Sequence, residues 1–279
     1  MINLGIRAHD VKASSLDELV QMIADKGLTS VQLALAKSFP DLNTSLGSLS
    51  PGLGKFIGKA FQQKNIEIAV LGCYINMIHP DLEERRKVLD RFKEHIRFAR
   101  DFGCTVIGTE TGNIHAKMGF TVDNFQEKPF LDVVESVKEL VQEAERFGVI
   151  VGIEAGVNHP VYNPKLLKQL LDEVNSNNLQ IIFDPVNLLT VDNYNQQDDI
   201  IKEAIDLFGD RIIIVHCKDF VIEEGKLKFA PPGKGLLNYD LVMELIKPKK
   251  PYIQFLLEST TEPFIDDSIA FLKEKYENA

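Results

Sequence analysis

Four side chains able to hold a metal ion recur along the second half of the chain: Glu154, Asp184, His216 and Glu258, separated by 30, 32 and 42 residues. Each closes a short apolar run, in GIEAG, IIFDPVN, IIIVHCKD and FLLEST respectively. A single carboxylate at a strand end is ordinarily solvated or caps the next helix, and Asp184, placed before Pro185, also suits a turn. Four such groups in successive units are a different matter. Three carboxylates gathered at one mouth repel each other unless positive charge sits between them, and a divalent cation supplies it. Three oxygen donors and one imidazole suit Mn2+, Mg2+, Co2+ or Zn2+ and do not resemble the thiolate sets of structural zinc. The expectation is one divalent metal ion, Mn2+ favoured, held by Glu154, Asp184, His216 and Glu258.

Side chains this far apart in sequence meet only if the elements carrying them are arranged in a ring. Short apolar runs alternate with segments of helical period along the whole chain. The runs are Ile2–Arg7, Ser30–Leu35, Ile66–Leu71, Thr105–Thr109, Val149–Ile153, Leu179–Phe183, Arg211–Val215 and Tyr252–Leu257. Ser15 opens the first helix, with Glu18 three residues on as a capping box and Leu16, Leu19, Val20 and Ile23 on one face. Lys37 to Gly54 reads as a long loop. A helix after Pro80 would turn Leu82, Leu89, Phe92, Ile96 and Ala99 inward. Another after Pro129 would bury Phe130, Val133, Val134, Val137, Leu140, Val141 and Ala144. Eight strand–helix units with no strand–strand pairs predict an α/β fold, a single (β/α)8 TIM barrel forming one domain over residues 1–279. A doubly wound sheet would show a Gly-rich phosphate turn, and neither GxGxxG nor GxxxxGK[ST] occurs.

In such a barrel the C-terminal strand ends carry the site, which adds candidates. Arg7 and His9 follow the first strand, His79 the third and Glu110 the fourth; His159 lies in the loop after Glu154. Lys218 is two residues beyond His216 and shares its face while the strand persists, where it could steady a developing oxyanion. Arg7 could equally pair with a rim carboxylate. Cys217 should face a helix and serve as packing. His95 and His115 read as surface residues.

Composition removes several classes. The net charge of -10 is poorly suited to nucleic acid or anionic membrane surfaces, and no apolar run approaches the length of a membrane helix. Met1 leads straight into strand sequence, without the basic start and apolar segment of a secretory signal. Three isolated cysteines, Cys73, Cys104 and Cys217, fit a reducing compartment. The expected location is the cytoplasm, and the expected partner a small molecule.

The ordered Glu–Asp–His–Glu set on the last four strands resembles the xylose-isomerase-like barrels of the sugar phosphate isomerase/epimerase superfamily. GIRAHD (Gly5–Asp10), YINMIHPD (Tyr74–Asp81), FGCTVIGTETG (Phe102–Gly112), HCKD and PPGKG (Pro231–Gly235) are similar to that group as well, and the likeness spans essentially the whole chain. It implies a divalent-metal-dependent sugar or sugar-phosphate isomerase or epimerase that removes a proton alpha to a carbonyl. It also implies a carbohydrate substrate and a chain that can self-associate as a homo-oligomer. Glu154 and Glu258 would then be catalytic as well as metal ligands, one on each face of the reacting carbon, with Asp184 and His216 mainly holding the metal. Asn187 stands where free-ketose 3-epimerases carry a histidine, and Val221 and Ile222 where they carry an arginine. This leaves Asn187 a substrate contact alongside His79, Lys218, Glu110, His159, Arg7 and His9.

The same resemblance admits a lyase that dehydrates an inosose-like cyclitol, an abasic-site phosphodiesterase, and a non-catalytic sugar-binding protein. The phosphodiesterases need a three-metal cluster with more histidines and a basic surface. This chain has 6 histidines in all and a charge of -10. PPGKG offers glycine amides and a lysine, suited to phosphate or simply to a turn.

Overall fold

The computed structural model describes residues 2–279. Its strands are β1 (Asn3–Arg7), β2 (Ser30–Leu33), β3 (Glu67–Gly72), β4 (Val106–Glu110), β5 (Ile150–Glu154), β6 (Leu179–Phe183), β7 (Ile212–Cys217), β8 (Asp219–Glu223), β9 (Lys226–Ala230) and β10 (Gln254–Leu257). β1 to β7 and β10 form a closed parallel barrel in the order β1-β10-β7-β6-β5-β4-β3-β2. This is the (β/α)8 barrel the sequence predicts, with no bound of the eight runs displaced by more than 2 residues. The helices are α1 (Leu16–Asp25), α2 (Leu35–Ser38), α3 (Pro51–Gln62), α4 (Leu82–Phe98), α5 (Glu127–Phe147), α6 (Pro164–Val174), α7 (Gln197–Phe208), α8 (Tyr239–Ile246) and α9 (Ile265–Asn278).

The helices start where the sequence supplies caps. Ser15, Ser50, Asp81, Asn163 and Asn238 each accept a backbone N–H of the first turn, a contribution of about 1 kcal/mol apiece. The apolar face of α5 is buried as its period requires, from Phe130 through Ala144. Two readings along α4 are corrected. Leu82 is 71% exposed, in a first turn of α4 whose residues Leu82, Glu83 and Glu84 all face solvent. His95 is buried, and its Nδ1 contacts the Arg91 carbonyl at 2.8 Å; a histidine on the inward face of an amphipathic helix goes under with its neighbours.

A third correction concerns strand pairing. The expectation of no strand–strand pairs fails at β8 and β9, an antiparallel hairpin after β7. Its two-residue turn is Glu224–Gly225, with φ of 51° and 69°. Both angles are positive, as a turn matching the right-handed twist of a hairpin demands.

Inside the barrel, alternation decides what reaches the mouth. Val70, Val106, Ile182, Ile214 and Leu256 form an interior cluster separate from the core between sheet and helices. Asp184, His216 and Glu258 each lie two residues after one of these, so they emerge on the same interior face. The large side chains need flat neighbours. A Cβ on Gly108 would come within 2.7 Å of Val70 and 2.9 Å of Ile182, and one on Gly5 within 2.6 Å of Leu256. Two residues beyond these glycines stand Glu110 and Arg7. The period of two thus turns an apolar interior into a polar mouth within a single step along each strand.

Candidate metal centre

Glu154 ends β5, Asp184 follows β6, His216 lies in β7 and Glu258 follows β10. All four are buried, and one ligand atom from each lies within 4.8 Å of every other. His216 Nδ1 is 3.2 Å from Glu154 Oε1 and 2.9 Å from Glu258 Oε2. Ser259, immediately after Glu258, holds φ of 52°. That left-handed backbone costs a non-glycine residue about 1–2 kcal/mol and turns the chain sharply where the ligand is presented.

Positive charge is already present among the carboxylates. Lys218 Nζ is 2.8 Å from Asp184 Oδ2 and 2.9 Å from Glu258 Oε1, and Arg7 Nη1 is 2.9 Å from the same Glu258 oxygen. Arg7 also grips Asp10 with two bonds of 2.9 and 3.0 Å. Repulsion between carboxylates therefore does not by itself demand a metal. Two buried atoms, His216 Nδ1 and Asp184 Oδ2, make no well-formed hydrogen bond and have only ionic partners from within the cluster itself. Both face the centre of the cluster, and a cation there would satisfy both at once. The donor set, three carboxylates and an imidazole with one atom of each within 4.8 Å of the others, fits a divalent ion.

The electrostatics of the ion-free cluster follow from its contacts. Burial alone would lower His216, but Glu154 and Glu258 outweigh it and push it up to about 10. Burial raises Asp184 to about 6 against the pull of Lys218. Burial opposes ionisation of Glu258 too, yet Lys218, His216 and Arg7 hold its carboxyl well below the usual range. Lys218 is raised because Asp184 and Glu258 overcome the desolvation of its ammonium.

The other candidates fall in four places. Asn187 and Arg7 hold cluster carboxylates in place: Asn187 Nδ2 donates to Glu154 Oε1 at 2.6 Å, Arg7 pairs with Glu258, and the backbone N–H groups of Val186 and Asn187 donate to Asp184 Oδ1 at 2.9 and 3.1 Å. Glu110 and His159 form a pair beside the centre, with His159 Nε2 3.5 Å from Glu110 Oε2 and Nδ1 fixed by the Gly112 carbonyl at 2.9 Å. Burial would lower His159, but Glu110 and the Gly112 carbonyl raise it. His79 is engaged at the start of α4, its Nδ1 accepting the Asp81 N–H at 3.2 Å. His9 sits near Arg7, and burial with that charge lowers it to about 4.

Gln32 and its partner Tyr74 were missed. Gln32, in β2, is fully buried and contacts His216 Nε2 through Oε1 at 2.6 Å. Its Nε2 donates to the Tyr74 hydroxyl. The available signal was a lone amide inside the apolar run SVQL, on the interior parity of the strand.

A cavity of about 360 Å³ opens over the centre, lined by Glu110, His159, Asn187, Lys218 and Glu258 below and by Phe120, Leu227 and Phe229 above. The unexpected β8–β9 hairpin supplies Leu227 and Phe229, the latter with its ring 4.4 Å from Lys218 Nζ. A larger groove of about 710 Å³ lies at the other end of the barrel, by the start of β3, and contains none of the four clustered residues.

Comparisons with known proteins agree with this architecture. The family model described as xylose isomerase-like TIM barrel matches residues 7–275. The 3-oxo-isoapionate decarboxylase of Pectobacterium atrosepticum is 26% identical over 125 residues, 43% of this chain; the match spans only 42% of that relative's length. The IolI protein with a bound zinc atom superposes with a TM-score of 0.75 at 16% identity, covering 99% of this chain and 97% of that one. L-ribulose 3-epimerase gives 0.76 at 13% identity, covering 100% and 95%. At such identities the structural likeness is one of fold.

Proposed function

Because this chain belongs to the xylose isomerase-like TIM barrel family, we propose that it is a divalent-metal-dependent sugar isomerase or epimerase. A divalent ion, Mn2+ favoured, held by Glu154, Asp184, His216 and Glu258 would act as a Lewis acid toward the charge developing on the substrate's carbonyl oxygen. The proton work falls to the chain. Glu154 and Glu258 come from strands separated by β6 and β7, so they approach a bound sugar from different sides. One takes the proton alpha to the carbonyl, and the other returns a proton to the opposite face or to the neighbouring carbon. Asp184 and His216 hold position. The observation that carries this reading is that both glutamates reach His216 Nδ1, within 3.2 and 2.9 Å, beneath an open cavity.

The two glutamates are not equivalent, and this favours a second reading. Glu258 Oε1 is shared by Lys218 and Arg7. Among the described residues, neither lysine nor arginine pairs with Glu154. Glu154 is the freer base, and a proton on Glu258 would have to displace two cations. Abstraction by Glu154, followed by loss of a β-hydroxyl as water with that same proton, needs one carboxyl alone. This is the dehydratase chemistry of an inosose-like cyclitol.

Incubation of the metal-loaded protein in heavy water with ketoses, aldoses and inososes tests both. Epimerisation or isomerisation with incorporated deuterium supports the first reading. A product lighter by one water selects the second. Protein that takes up no divalent metal and exchanges no substrate hydrogen sinks both. A cytoplasmic location and a homo-oligomeric state accompany the proposal as expectations from the family.

A further inference from the structure

We propose that the substrate of this site carries no phosphate and is an uncharged keto-sugar or cyclitol. The inference rests on the isomerase or dehydratase reading above and narrows its substrate class.

Proteins bind phosphate with lysine or arginine, with helix N-termini, or with concave sets of backbone N–H groups. Most such devices near this cavity already serve a carboxylate of the chain; the exception is exposed Lys37, which stands over the Tyr74 ring, close enough to favour the charged form of Glu110. The first is Lys218, the one lysine or arginine among the described residues lining the cavity. It is buried and spans Asp184 and Glu258, while nearby Arg7 is held by Asp10 and Glu258. The second is the amide pair after β6, Val186 and Asn187, which donates to Asp184 Oδ1.

The third device is PPGKG, the segment whose amides and lysine suited a phosphate. Its amides turn inward onto Asp219: Gly233 and Gly235 donate to Oδ2 at 3.1 Å each, and Leu237 to Oδ1 at 2.8 Å. The Phe220 N–H completes the set at 2.8 Å. Asp219 thus fills the cradle a phosphate would need. Lys234 is drawn off to Asp267 at 2.8 Å.

What remains toward the mouth suits a neutral ring. Glu110 places a carboxylate on the wall, where a phosphate dianion would meet like charge. Asn158, His159 and Thr190 offer hydrogen bonds to hydroxyls, and Phe120 and Phe229, 67% and 55% exposed, offer aromatic surface to the C–H faces of a sugar. A cavity of about 360 Å³ is of monosaccharide size.

The test uses the full metal-loaded chain and matched pairs: free D-ribulose beside D-ribulose 5-phosphate, free D-fructose beside D-fructose 6-phosphate, with an inosose as a ring-form probe. Deuterium exchange reads turnover and calorimetry reads binding independently. The neutral members should bind and exchange on the order of 100-fold better than their phosphate esters, and inorganic phosphate should not compete. Thr190→Arg, which adds a cation to the wall, should narrow the gap in binding. Phosphate esters that bind or exchange as well as the free sugars, or competition by inorganic phosphate, would overturn the proposal while leaving the isomerase reading intact. Binding of neutral sugars without any exchange would leave the substrate class standing and remove the catalytic reading. Failure of every probe to bind or exchange would remove both.

Discussion

Gln32 Oε1 lies 2.6 Å from His216 Nε2, across the barrel from β2 to β7. The Tyr74 hydroxyl accepts from the other end of the same amide, which fixes the oxygen toward the imidazole. His216 Nε2 is then an N–H donor; in the ion-free protein Nδ1 also carries a proton, held between Glu154 and Glu258, and a bound ion would take that proton's place. Partners of this kind set the tautomer of a metal-binding histidine and commonly alter metal affinity 10–100-fold when removed. Gln32→Leu should weaken divalent-metal binding by about that factor, read by calorimetric titration of the ion-free protein. Gln32→Glu keeps the acceptor and should restore much of the affinity. Unchanged affinity in Gln32→Leu would mean that the bond serves packing alone.

Lys218 fills part of the role a metal would fill. Its ammonium bridges Asp184 and Glu258 in a fully buried setting. Removing one partner of such a pair strands the others and costs about 3–5 kcal/mol. Lys218→Met should therefore lower the melting temperature of ion-free protein by about 5–15 °C. Added divalent ion should recover more stability in the variant than in the parent, since it neutralises the carboxylates that Lys218 leaves behind. Equal metal-induced shifts in the two proteins would contradict this.

The four clustered side chains were legible because each obeys two local rules at once: it ends an apolar run, and it falls on the interior parity of that run. Ile182 announces Asp184, Ile214 announces His216, and Leu256 announces Glu258. Gln32 obeys the parity rule too, but an amide carries no charge to make it stand out. The β8–β9 hairpin was hidden because KLKFA alternates lysine with apolar residues on a rim that faces solvent on one side. Its turn is Glu–Gly, a weaker signal than Asn–Gly or Asp–Gly. The engagement of Arg7 with Glu258, and of PPGKG with Asp219, depends on contacts between segments distant in sequence, which no local pattern encodes.

His95 gives a pH prediction away from the metal centre. Burial lowers it to about 4 from 6.5, against the hydrogen bond to the Arg91 carbonyl. The unfolded chain therefore binds a proton between those values that the folded chain refuses. The stability tied to neutral His95 is fully present above pH 6.5 and is lost as pH falls toward 4, by about 3 kcal/mol over that window. Urea unfolding of the parent should show this loss. His95→Leu, which cannot titrate, should show a shallower decline over the same range. Parallel pH curves for the two would rule out His95 as a source of acid sensitivity.

Glu154 and Glu258 divide the proposed chemistries. Both touch His216, but only Glu258 carries Lys218 and Arg7 on one oxygen. Glutamine in place of either keeps an oxygen for metal binding and removes the base, so metal content must be measured beside turnover. If the protein is an epimerase, each glutamate serves one face of the reacting carbon. Glu154→Gln and Glu258→Gln should each lose epimerisation by about 10²–10⁴-fold, the usual contribution of a positioned acid or base. Each should still exchange deuterium into the one epimer whose hydrogen faces the remaining glutamate. If Glu154 works alone, as dehydration requires, Glu154→Gln should lose both exchange and product. Metal-loaded Glu258→Gln should then keep exchange, because the base that starts the reaction is untouched. Full exchange by metal-loaded Glu154→Gln with both epimers of a substrate would exclude either role for Glu154 and place the proton chemistry elsewhere in the cavity.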